Sequence, residues 1–208
     1  PGSRRWSRST SMVGNDVVDL QDLETQSKAL HPRFDARVMS PSERDRLDAA
    51  PDPRPLRWTL WAAKESAYKL ARRSHRSMVF AHAKFETDLD DHGHGRVRLD
   101  DWSCTVAVKR KGSALHCIAA PDSVGGIVSG VDRLAPDLDP SNGARKLAIG
   151  AVAEHLSVEP ASLAITSDPD RVPHLSVSGR RLGHLSLSHH GQFVAFAWSG
   201  PASSSPAV

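Results

Sequence analysis

WTLWAAKESAYKLARR, residues Trp58–Arg73, places its apolar side chains at helical intervals. Leu60, Ala63, Ala67 and Leu70 follow at spacings of 3, 4 and 3 and so share one face of a helix. Trp61, Glu65, Tyr68 and Lys69 occupy an adjoining face, with the carboxylate and the amine one turn apart. Upstream, Ser40-Pro41-Ser42-Glu43 predicts another helix start: serine caps, proline suits the first turn, and Glu43 stands three residues past the cap. Earlier still, Met12–Leu20 (MVGNDVVDL) reads as a short buried strand that ends in acids.

Downstream of the helix the period changes from helical to alternating. Val79–Glu86, Arg96–Leu99, Trp102–Arg110 and Ala114–Ala120 are strand candidates separated by glycine- and aspartate-rich turns. Asp88–Gly95 (DLDDHGHG) reads as a polar loop whose two histidines, His92 and His94, do not make a closed metal site. Gly125–Leu134 (GGIVSGVDRL) opens a second unit, and its Gly130-Val131-Asp132 echoes Gly14-Asn15-Asp16. Ala144, Leu147, Ala148, Ala151, Val152 and His155 mark an amphipathic helix capped by Ser141 or Asn142. Strands are expected at Ser162–Thr166, His184–Ser188 and Phe193–Trp198.

Each half thus reads strand, helices, then antiparallel strands. The expected fold is α+β, two related α/β units, each an antiparallel sheet packed with helices. The expected boundaries are 1–11 (disordered extension or tag), 12–123 (first unit), 124–198 (second unit) and 199–208 (disordered tail).

The composition fits a globular chain: 39% hydrophobic and 25% charged over 208 residues. The net charge of +3 matches the arginines at 4, 5 and 8, in a segment without acids; the remainder carries 24 bases against 24 acids. A neutral body gives no footprint for nucleic acid. No apolar run approaches the roughly 20 residues that span a bilayer, and no leader is visible, so a cytoplasmic protein without a membrane partner is expected. Cys104 and Cys117 lack metal-ligand spacing and read as reduced, packed thiols.

Chemistry concentrates in two places. Asp16 and Asp19 follow Gly14 at a strand end, where a glycine lets another group approach the backbone. Glu65 and Lys69 share a helix face. Carboxylates from a strand end and a helix suit a hard cation such as magnesium, and a neighbouring lysine suits phosphate. By spacing alone, Glu65 and Lys69 read as an ordinary surface pair.

GNDVVDL (Gly14–Leu20) with WAAKESAYK (Trp61–Lys69) resembles the paired signatures of the 4′-phosphopantetheinyl transferase superfamily, G-x-D followed by an acid and W-x-x-K-E-x-x-x-K. Asp16 and Glu65 stand 49 residues apart, as in that family. VMSPSERDRL (Val38–Leu47) resembles the family's preceding helix, and LSLSHHGQFVAFAW (Leu185–Trp198) is similar to the serine–histidine strand of its surfactin-synthetase type. ARKLAIGAVAEHLSVEPASLAI (Ala144–Ile165) resembles that type's N-terminal half, which here follows the G-x-D motif instead of preceding it. The order reads as a circular permutation. The alternative is one unit of the shorter holo-acyl-carrier-protein synthase type with a large insertion.

The resemblance implies a pseudo-twofold fold and transfer of phosphopantetheine from coenzyme A to a serine of an acyl or peptidyl carrier protein. It implies Mg2+ held by Asp16 and Glu65, with Asp19 a further candidate ligand. Glu65, Lys69 and His189 are the implied catalytic residues; Lys64, Lys69, Ser188, His189, Arg171 and Arg145 are the implied contacts to coenzyme A. His190 is expected to look away from the cleft. Val18 stands where the surfactin type has a second acid, and Arg171-Val172-Pro173 replaces a Gly-Lys-Pro, leaving Arg171 to stand in for the lysine. Two units in one chain imply a monomer. A non-catalytic module that binds coenzyme A or a carrier is the rival reading.

Overall fold

A computed structural model describes residues 12–200 except 28, 29, 76, 77, 80 and 123. The expected extension at 1–11 and positions 201–208 of the expected tail lie outside the described residues.

The first unit runs β1 (Gly14–Asp19), α1 (Phe34–Val38), α2 (Pro41–Ala49), α3 (Pro53–Ser74), β2 (Glu86–Leu89), β3 (His94–Leu99), β4 (Trp102–Lys111) and β5 (Ala114–Ala120). Its five strands form an antiparallel sheet in the order β1-β5-β4-β3-β2. The capping box is as expected: Ser40 Oγ accepts from Glu43 N–H and Glu43 Oε2 accepts from Ser40 N–H. α3 begins five residues before the expected start, because Asp52 caps it and Pro53 fits the first turn. Ala63, Ala67 and Leu70 pack on the sheet, whereas Leu60 joins Val38, Met39 and Leu47 beneath α1 and α2. The strand expected at Val79–Glu86 is replaced by a 3-10 turn at His82–Lys84, and β2 starts only at Glu86. Asp88 and Leu89 end β2 and His94 opens β3, so the expected loop narrows to a turn; Asp90 holds it by accepting from the N–H groups of His92 and His94.

The second unit runs β6 (Ile127–Arg133), α4 (Pro140–Leu156), β7 (Leu163–Ser167), β8 (Pro173–Val177), β9 (Arg180–Arg181), β10 (His184–His190) and β11 (Phe193–Ser199). Asp139, not Ser141 or Asn142, caps α4 by accepting from Asn142 N–H. β10-β11-β6 form one antiparallel sheet and β7-β8-β9 another. Ser199, expected in the tail, is buried at the end of β11. In each unit the first strand pairs antiparallel with the last: β1 with β5, β6 with β11. Val17 and Ala114 of the first unit pack against Phe193 and Ala195 of the second. Cys104 and Cys117 are free, buried thiols, both pushed up by burial. Among the described residues no helix is long and apolar enough to cross a membrane.

His116 on β5 makes this arrangement acid-sensitive. Burial, helped by the charge of Lys109, pushes its imidazole down to about 4. The unfolded chain therefore takes up a proton below the ordinary histidine value that the folded chain refuses. Stability is expected to fall by about 2 kcal/mol between pH 7 and pH 5 through this one group. Urea midpoints for the parent and His116→Gln check this: the variant loses that part of the pH slope.

Candidate functional site

Alternation along β1 divides its side chains between two neighbours. Gly14 and Val18 face α3, while Val17 faces β11. A Cβ on Gly14 would overlap the Ser66 carbonyl oxygen, so only glycine lets α3 cross β1 this closely. That crossing lays Lys69 over the strand. Its Nζ donates to Asp16 Oδ1 at 2.9 Å and to the Asn15 carbonyl at 3.1 Å. Asp16 is 8% exposed and Glu65 half-buried. Burial lifts the Glu65 carboxyl above the ordinary carboxylate range; Lys69 draws it back, and the charge of Asp16 raises it further. Lys69 pairs with Asp16 and acts on Glu65 only through its charge, so one ammonium faces two carboxylates and leaves negative charge that a hard cation would neutralise. The donor set fits magnesium, which takes one or two protein carboxylates and fills its other positions with water and phosphate oxygens.

Two expected contacts are corrected. Lys64 does not meet a phosphate: its side chain is fully buried, 2.5 Å from Glu43 Oε2, and also donates to the carbonyls of Val38 and His82. Burial holds its ammonium below the ordinary lysine value, with Glu43 opposing. Asp19 does not join Asp16, because residues three apart on a strand point to opposite faces. It accepts instead from the N–H groups of Gln21 and Gln192. Burial acts to raise its carboxyl, but hydrogen bonds from Gln21, Ser113 and Gln192 outweigh this and leave it below the usual range.

Ser188 is buried at the junction of the units, accepting from Asn15 Nδ2 at 2.9 Å. Neighbouring His189 points to the opposite face of β10, exposed and without a side-chain hydrogen bond among the described residues. His190, expected to look away, turns inward: its Nδ1 accepts from Asp19 N–H at 3.2 Å. Its Nε2 lies 3.8 Å from Glu24 Oε2, and with Asp22 these atoms form a compact group. The bond from Asp19 N–H ties His190 to the end of β1, with Glu24 close by. Arg171 is exposed at a turn with φ of 61° and Arg145 is half-buried on α4; no hydrogen bond links either to Asp16, Glu65 or Lys69.

Asn15 is the residue that sequence reasoning passed over. Its N–H donates to Ser186 Oγ at 3.0 Å, its amide reaches Ser188 and His116, and its carbonyl receives Lys69. It ties the acid–lysine group to the second unit. Its place between Gly14 and Asp16 was the available signal, but its partner Ser186 lies 171 residues away.

A family model described as the 4′-phosphopantetheinyl transferase superfamily matches residues 12–119, more than half of the chain. No curated protein matches it. The chain belongs to the 4′-phosphopantetheinyl transferase superfamily.

Proposed function

We propose that this member of the superfamily moves the phosphopantetheine arm of coenzyme A onto a serine hydroxyl of an acyl or peptidyl carrier protein, releasing 3′,5′-ADP. The observation that supports this best is the junction of Asp16, Glu65 and Lys69, carried by the two signature segments. In the proposed reaction the serine Oγ forms a bond to the phosphorus on the pantetheine side of the pyrophosphate. The bond from that phosphorus to the bridging oxygen breaks, and the oxygen leaves on 3′,5′-ADP. Asp16 and Glu65 would hold Mg2+, which when bound supplies Lewis-acid neutralisation of the pyrophosphate charge. Glu65 is the proposed base that takes the serine proton, directly or through a water. Lys69 suits a phosphate oxygen once its ammonium is shared away from Asp16. His189 is the proposed contact from the second unit, an exposed imidazole with spare donors and acceptors. Transfer of this kind rests mainly on positioning and charge neutralisation.

We read residues 124–198 as the second unit of a permuted pair, since β6 and α4 repeat the placement of β1 and α3 and Asn15 already joins the units within one chain. Light scattering is expected to give the mass of one protomer; a trimer would restore the insertion reading. The activity test mixes the protein with apo carrier proteins, coenzyme A and magnesium and records intact masses. Addition of phosphopantetheine to a carrier is expected. Binding of coenzyme A without a mass change would assign the chain as a non-catalytic module.

A further inference from the structure

Glycine at position 150 weakens α4 relative to alanine, because it has the most backbone freedom to lose on folding. Among the described residues nothing calls for it: a Cβ there would meet no atom within 4 Å, and the residue is exposed. The other glycine of the helix has an evident reason. A Cβ on Gly143 would overlap Leu134 and push the segment after β6 off the helix. With Leu134 seated on α4, a groove of about 480 Å³ runs past Gly150, lined by Leu134, Leu138, Leu147, Ala151 and Val194.

Charge flanks this groove in a defined order. Lys146 and Glu154 stand one turn to either side of Gly150 on the same ridge of the helix, roughly 6 Å each way along its axis. Both are exposed, and neither has an ion pair or side-chain hydrogen bond among the described residues. The other rim charges have partners: Asp132 accepts from Arg133 N–H, and Arg133 donates to Gln192 Oε1. A positive charge, a bare backbone and a negative charge at equal spacing complement the same pattern read in reverse. A second α4 laid antiparallel across the first at Gly150 brings Lys146 of each copy over Glu154 of the other.

We propose that this face is where two copies of the chain associate about a twofold axis, α4 packed on α4. A twofold contact uses one patch twice, so it requires a patch complementary to itself in charge and shape. The missing side chain at 150 lets the helices approach, and that approach covers the apolar groove on both copies. The contact is one helix face, small enough to belong with weak encounters. A dissociation constant of about 0.1–1 mM is expected, so the mass of one protomer stands at micromolar protein.

The test is sedimentation of the full chain from about 10 μM to about 1 mM, a range that brackets this constant. The parent is expected to pass from one protomer toward two. Lys146→Glu and Glu154→Lys each set like charges against one another and should weaken the association by about tenfold or more. Mixed together, these two variants should associate as the parent does, because each supplies the charge that the other lacks. Gly150→Leu, placed in open space and checked by thermal melt, should remove the association. A parent that stays a single protomer throughout would overturn the proposal. So would an association that survives the charge reversals or Gly150→Leu, or a mixture of the two charge variants that stays apart.

Discussion

Asp16→Ala and Glu65→Gln are each expected to lower phosphopantetheine transfer by about a hundredfold or more, with the fold retained. Asp16 and Glu65 are the two carboxylates that the β1–α3 crossing brings around Lys69. Losing one would remove half of the proposed carboxylate ligands to Mg2+, and about 1.4 kcal/mol of lost transition-state stabilisation is already tenfold in rate. Each change also alters the remaining pair: without Asp16 the Lys69 ammonium loses its 2.9 Å partner and the Glu65 carboxyl loses a repelling neighbour. Rates measured at saturating coenzyme A and carrier, alongside thermal melts, separate chemistry from folding. Asp19→Asn provides the contrast. Its carboxylate caps the turn after β1, so the expected effect is on melting temperature more than on turnover. Near-normal turnover of Asp16→Ala with magnesium present would remove the metal assignment.

Glu43→Ala is expected to destabilise the fold by about 3–5 kcal/mol, the range for stranding a buried charge. The Glu43 carboxylate accepts from Ser40 N–H at 2.8 Å and Thr87 N–H at 3.0 Å while pairing with Lys64 at 2.5 Å. Removing it leaves the Lys64 ammonium inside the protein with only carbonyl partners. Replacing both ions, Glu43→Leu with Lys64→Met, should recover most of the loss, because a packed apolar pair avoids the desolvation of two charges. Urea unfolding of the single and double variants measures this. The double variant also tests Lys64 directly: transfer should persist in it, whereas a tenfold or greater loss in a folded double variant would return Lys64 to the reaction, tenfold being about 1.4 kcal/mol.

The helix at Trp58–Arg73, the capping box at Ser40 and eight of the strands could be read from the chain because each depends on neighbours within a few residues. Where those neighbours misled, the reason is visible. Val79–Glu86 is apolar enough for a strand, yet Val79 is 84% exposed and His82–Lys84 tighten into a turn. β8 passed unseen because Pro173 and a short, mixed run give little alternation, and β9 is only two residues long.

For the site, the sequence by itself determined that Asp16 stands on a strand beside a glycine and that Glu65 and Lys69 share a helix face, since strand and helix periods are local geometry. Tertiary structure decided the rest. It chose Asp16 over Asp19 by setting which face of β1 meets α3, and it claimed Lys64 for Glu43 by burying that side of the helix. It turned His190 onto Asp19 and left His189 exposed, a choice between neighbours that strand pairing alone leaves open. The burial and charge state of such groups depend on what packs around them from distant parts of the chain, and no local period records that.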